Sequence, residues 1–176
     1  MRAMDHRWRP SVTVAAVIER DGRFLMIEEE TTEGLRINNP AGHLDPGETP
    51  AEGCAREALE ETAWHFRPTG LLGVYISRFQ RSVTGEDITY LRFAFTGELG
   101  EHVAGRALDH GIVRTLWMTA DELRATADRH RSPLVLRCLD DYLQGVRYPL
   151  GAVYCDPSVH GPEGEDGGQQ EVEERE

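Results

Sequence analysis

The sequence predicts an α/β (α+β) fold, a mixed sheet lying between helices. Three observations carry that expectation. Two hairpin signals make parts of the sheet antiparallel, a helix interrupts the strands near residue 50, and two further helices follow the last long strand.

"SVTVAAVIERDGRFLMIEEE" (11–30) is two β-rich runs around Asp21-Gly22, a strong hairpin turn. "LRINNPAGHL" (35–44) reads as a short strand entering a loop, and "PAEGCAREALEETA" (50–63) reads as a helix. "LLGVYISRFQRSV" and "DITYLRFAFTGEL" flank Thr84-Gly85-Glu86 as a second hairpin, and "IVRTLWM" (112–118) is a further strand. Thr119 with Glu122 forms a capping box before "ADELRATADR". Ser132 as N-cap with Pro133 behind it opens "LVLRCLDDYLQ", which Gly145 stops.

The chain of 176 residues fits one domain, expected over residues 1–155. Residues 156–176 hold eight acids against Arg175 and almost nothing apolar, so they are expected to be a disordered acidic tail. They account for −7 of the net charge of −12, leaving −5 on the domain. An acidic body without a basic stripe argues against a nucleic acid polymer as partner, but not against a small phosphorylated substrate. The absence of any lysine excludes a P-loop lysine and Schiff-base chemistry. No apolar run approaches the roughly 20 residues of a membrane helix, and "MRAMDHRWRP" lacks the apolar core of a secretory signal. The expectations are therefore no membrane, a cytoplasmic location, and a monomer or small homo-oligomer. Cys54, Cys138 and Cys155 form no pair or zinc pattern and are expected to be buried thiols.

The helix at 50–63 carries the chemistry. Thr49 and Glu52 make a capping box with Pro50 at the first position. At about 100° per residue, Glu57, Glu60 and Glu61 share one face within about 100° of arc. Ala51, Ala55, Ala58, Leu59 and Thr62 lie on another, with Cys54 between. A solvated helix laced with ion pairs is the bland reading, and Glu52–Arg56 would be one such pair. One arginine, however, cannot neutralise three neighbouring carboxylates. The glycine-rich loop "PAGHLDPGE" (40–48) leads straight into the helix and adds Glu48. Loop oxygens over helix carboxylates make an all-oxygen site suited to Mg²⁺ or Mn²⁺.

These residues resemble the Nudix box, G-x5-E-x7-R-E-U-x-E-E-x-G-U with U a bulky apolar residue. Gly42, Glu48, Arg56, Glu57, Glu60 and Glu61 fall at its spacings, Ala58 and Trp64 fill apolar positions, and Ala63 stands where the family has glycine. That substitution is expected either to extend the helix or to add strain. The opening "VTVAAVI", "NNPAGHL", "RSPLV" and "RYPL" resemble the phosphatase NudJ subfamily, so the likeness covers most of residues 10–150. The resemblance implies a Nudix α/β/α sandwich and a hydrolase acting on diphosphates linked to another group. It implies Glu57, Glu60 and Glu61, with the Gly42 carbonyl, as ligands of Mg²⁺ or Mn²⁺. Arg56 would orient Glu48 or Glu60, and either Glu57 or an acid from outside the box would be the general base.

For the NudJ subfamily, the implied substrates are nucleoside di- and triphosphates and hydroxymethylpyrimidine or thiamine diphosphate, cleaved to inorganic phosphate. The alternatives are a Nudix pyrophosphohydrolase that splits a triphosphate to monophosphate and diphosphate, or a non-catalytic binding module. Glu86, Asp87 and Asp109 are loop acids within possible reach. Arg78, Phe79, Tyr90 and Arg92 lie on the second hairpin, where a phosphate clamp or stacking platform could form, although strand alternation turns about half away. His43 is a loop residue, and His65, His102, His110 and His130 have no ligand spacing.

Overall fold

A computed structural model describes residues 7–82 and 84–161. Strands β1 (Ser11–Val17), β2 (Glu19–Arg20), β3 (Arg23–Thr31), β4 (Gly34–Asn38) and β5 (Ala41–His43) precede helix α1 (Pro50–Thr62). The long strands β6 (Trp64–Gln80) and β7 (Asp87–His102) form the second hairpin, followed by β8 (Ile112–Thr119), α2 (Ala120–Ala125), α3 (Leu134–Leu143) and the short β9 (Tyr148–Pro149). The mixed α+β architecture is as expected, but it contains two sheets. One has the order β5-β1-β7-β6-β9, in which only β1 and β7 run parallel. In the other, antiparallel sheet, β3 pairs with β2, β4 and β8.

The expected first hairpin is therefore divided. Only Glu19–Arg20 turns back on β3 around Asp21-Gly22, whereas β1 joins the other sheet. "VTVAAVI" is continuously apolar because β1 is buried on both faces. Val14 and Ala16 face Cys54 and Ala58 of α1, and Ala15 and Val17 face Cys138 and Leu139 of α3. The expected loop after residue 38 contains β5, which pairs with β1 through Ala41–Ala15 and Gly42–Val14. That edge strand lies beside α1 and fixes the glycine-rich loop in place.

Helix α1 starts as its sequence demands, with both bonds of the Thr49–Glu52 capping box formed. Its buried side is centred on Cys54 and Ala58, both fully buried, so Cys54 is not between faces but in the middle of one. Ala63 resolves its alternatives in favour of strain: the helix stops at Thr62, and Ala63 caps it at φ 60°, ψ 17° with its N–H on the Leu59 carbonyl at 2.9 Å. A left-handed alanine costs about 1–2 kcal/mol. Its methyl is buried, which offsets about 0.8 kcal/mol of that.

Two other expectations shift. The third helix is assigned from Leu134 with Pro133 at its cap, while Ser132 Oγ accepts from the Leu134 N–H at 3.3 Å. Order also extends past residue 155: Asp156 caps a single 3-10 turn, Pro157–His160, and His160 Nε2 lies 3.0 Å from Glu52 Oε2 at the start of α1. The rest of the expected tail, 162–176, lies outside the described residues. Cys54 and Cys138 are buried free thiols, but Cys155 is only half-buried. Among the described residues no helix is long and apolar enough to cross a membrane.

Candidate active site

The box residues come together around Arg56. Its Nε and Nη2 donate to the two Glu48 oxygens at 2.9 and 2.7 Å, a fork-to-fork pair. Its Nη1 donates to Glu57 Oε1 and Glu60 Oε2, each at 2.9 Å, and Nη2 also donates to the His43 carbonyl at 3.0 Å. The guanidinium thus holds Glu48 and Glu60, the two partners expected from the sequence, and Glu57 as well. Glu48, so paired, is held below the usual carboxylate range.

Glu61 is placed differently. Its Oε2 accepts from the Ala41 N–H at 2.8 Å, on the open edge of β5. Glu57 and Glu61 are both buried. Burial raises both carboxyls, Glu57 against the pull of Arg56 and Glu61 to about 9; Glu60 and Asp109 add to the rise at Glu57, and Glu57, Glu29 and Asp109 to that at Glu61. Asp109 is one of those acids: its N–H donates to the Glu60 carbonyl at 3.0 Å and its charge raises Glu57 and Glu61. Of the three loop acids named from the sequence, only this one reaches the cluster. Asp87 pairs with Arg78, and Glu86 with Arg81.

Gly42 is required by proximity. A Cβ there would lie 2.1 Å from Glu57 Oε1, so only glycine lets the loop pass so close to the carboxylate. Gly53 does the same for Glu48, whose Oε1 would be 2.6 Å from an added Cβ. Among the described residues no three Asp, Glu, His or Cys side chains converge on a single point, Glu57 and Glu60 being turned onto Arg56 and Glu61 onto Ala41. The donor set nevertheless fits a hard cation: oxygen only, crowded, buried at Glu57 and Glu61, and with Arg56 as the one cation among three helix carboxylates.

Beside the cluster, on the other side of Ala41 and Gly42, opens a cavity of about 700 Å³. Thr13, Glu29, Asn38, His43, Tyr90 and Arg92 are among its lining residues, with Phe79 and His130. Arg78, Phe79, Tyr90 and Arg92, the four hairpin candidates from the sequence, all line the cavity, although strand alternation alone would turn about half of them away. Glu29, Thr13 and Asn38 were not candidates, and isolated polar residues on strands give no signal from which to find them. Glu29 follows an irregularity in the β3–β8 register between Glu28 and Glu29. Glu28, its buried neighbour, instead holds Arg114 and Arg129.

Comparison with known proteins decides what this arrangement belongs to. Residues 7–138 match the NUDIX domain. The chain belongs to the Nudix family. It is 36% identical over 143 residues to phosphatase NudJ of Escherichia coli K12, spanning 81% of this chain and 90% of that one. It is 45% identical to a Nudix hydrolase of known structure from Nitrosomonas europaea, with a TM-score of 0.77 over 84% of this chain and 98% of that one. A MutT Nudix hydrolase from Burkholderia pseudomallei, 20% identical with a TM-score of 0.62, shares the fold over 76% of this chain and 98% of its own. The Nudix chain is accordingly a hydrolase acting on phosphorus-containing acid anhydrides. Nudix hydrolases generally need a divalent metal ion.

Proposed function

We propose that the protein hydrolyses nucleoside di- and triphosphates, and hydroxymethylpyrimidine or thiamine diphosphate, to inorganic phosphate in the presence of Mg²⁺ or Mn²⁺. The observation that carries this reading is the pair of buried, proton-raised carboxylates Glu57 and Glu61 packed against Gly42 and Ala41, two residues that also line a cavity large enough for a heterocycle and sugar. Likeness to phosphatase NudJ supports the choice of product.

Glu57, Glu60, Glu61 and the Gly42 carbonyl would hold the cation. When bound it supplies Lewis acidity, a template for the diphosphate oxygens and an acidified water. Arg56 holds Glu48 by its two-bond fork, and its single bonds to Glu57 and Glu60 are the ones that would be shared or exchanged when those carboxylates turn to the cation. Glu57, whose proton affinity burial raises, or Asp109, held beside it by its bond to the Glu60 carbonyl, takes the proton of the attacking water. The carboxylates titrate as a group, so the base belongs to the cluster more than to one residue. The substrate's non-phosphate part occupies the adjoining cavity.

Phosphate detection with GDP, GTP and hydroxymethylpyrimidine diphosphate tests this reading. Phosphate should appear from GDP, appear stepwise from GTP, and stop when a chelator removes the cation. Release of intact diphosphate and GMP from GTP would instead indicate a pyrophosphohydrolase. Nucleotide binding without turnover would indicate a binding module.

A further inference from the structure

The cavity contains polar atoms that the protein itself leaves unpaired. Arg92, Thr13 and Asn38 are 7%, 7% and 6% exposed, and all three line the cavity. Among the described residues, Arg92 Nε and Nη1, Thr13 Oγ1 and Asn38 Oδ1 have no hydrogen-bond partner. Such groups are few in folded proteins and each costs stability, so three on one cavity wall require a reason. Asn39, the fourth residue of this kind, lines no part of the cavity and donates its amide to Met26 in the core.

Strand register brings the set together. Thr13 of β1 lies opposite Arg92 of β7, and Tyr90, two residues before Arg92, falls on the same face. Asn38 at the end of β4 gives its amide N–H to Glu29 Oε1 at 3.3 Å, which fixes the free atom as the carbonyl acceptor. The wall therefore offers donors from Arg92, an acceptor from Asn38, and a hydroxyl that serves as either. A phosphate has only acceptors, and it would meet the Asn38 oxygen and the Glu29 carboxylate beside it. A heterocycle that carries an amine beside two acceptors matches the set, its amine donating to Asn38 Oδ1 and its acceptors taking the Arg92 N–H groups or the Thr13 hydroxyl. The rings of Tyr90 and His43, centroids 6.3 Å apart, stand where such a ring could stack.

We infer that Arg92, Asn38 and Thr13 form a recognition site for the polar edge of an aminated heterocycle, and that they select substrates by the ring and not by the phosphates. This deepens the proposed function, and it identifies specificity residues that lie outside the box.

The test uses guanosine and cytidine, which lack phosphate, with binding to the intact protein followed by calorimetry and saturation-transfer NMR. The wild type should bind at least one of them. Arg92→Met should weaken that binding tenfold or more and Thr13→Val threefold or more. Affinity for inorganic diphosphate should be unchanged in both. Because each substitution removes unpaired buried polar atoms, neither thermal midpoint should fall, whereas a structural role would lower it. The inference is overturned if neither nucleoside binds, if the variants bind as the wild type does, if diphosphate affinity falls equally, or if both variants lose stability. Nucleoside binding does not depend on turnover. Lost turnover with intact nucleoside recognition would sink the proposed function alone, and the converse would sink only this site.

Discussion

Glu61→Gln is expected to lower kcat by about 100-fold or more while making the cation-free protein more resistant to heat. The rate effect follows from removing a charged oxygen that contributes several kcal/mol to the transition state, at about 1.4 kcal/mol per tenfold. The stability effect comes from burial. Glu61 is buried, and burial raises its proton affinity from 4.5 to about 9. It therefore binds its proton more tightly in the folded chain than in the unfolded one. That contribution to stability is fully present below about 4.5 and is lost as the pH rises towards about 9. Glutamine keeps an acceptor for the Ala41 N–H without the charge. Calorimetric melting of both proteins at pH 5 and pH 8 in chelator checks this: the variant's advantage should be largest at pH 8. A variant that melts lower at pH 8, or keeps its kcat, would show that Glu61 is a packing residue.

Replacing Arg56 should have the opposite sign in stability. Its guanidinium makes five donor contacts, four to the carboxylates of Glu48, Glu57 and Glu60 and one to the His43 carbonyl. Arg56→Ala leaves three acidic side chains facing one another without a counter-charge. Removing one partner of a buried pair costs 3–5 kcal/mol, and with the side chain of Arg56 26% exposed we expect about 2–3 kcal/mol here. For a chain of this size that lowers the melting midpoint by roughly 5–10 °C. Arg56→Lys retains the charge but cannot make the fork to Glu48, so it should recover part of the stability and little of the kcat. The loss in Arg56→Ala should shrink in saturating Mg²⁺, which brings positive charge back among the same oxygens. Equal losses with and without cation would mean that Arg56 and the cation act in separate places.

The helix and its spacing could be read directly because they are local. Thr49, Glu52 and Pro50 set the start of α1, and the positions of Gly42, Glu48, Arg56 and the three helix glutamates follow from residue intervals alone. What failed to show in the sequence depends on tertiary placement. An apolar run such as "VTVAAVI" signals burial but not which sheet it joins, so the first hairpin was divided between two. Cys54 sits at the centre of the buried face because the sheet packs there, a direction that the helical wheel leaves open. Asp109 reaches the cluster through a backbone bond to Glu60, 49 positions earlier in the chain. Glu29, Thr13 and Asn38 lie on three different strands and meet only across the cavity.

Glu61, raised to about 9 by burial among neighbouring acids, gives up its proton when a divalent cation binds beside Glu57 and Glu60. Mn²⁺ titration by calorimetry at pH 7, repeated in buffers of different ionisation enthalpy, measures the protons released on binding. Binding should be saturable and release about one proton, with Glu61→Gln abolishing most of that release. Binding with no proton release, or no binding even with a non-hydrolysable diphosphate present, would contradict it.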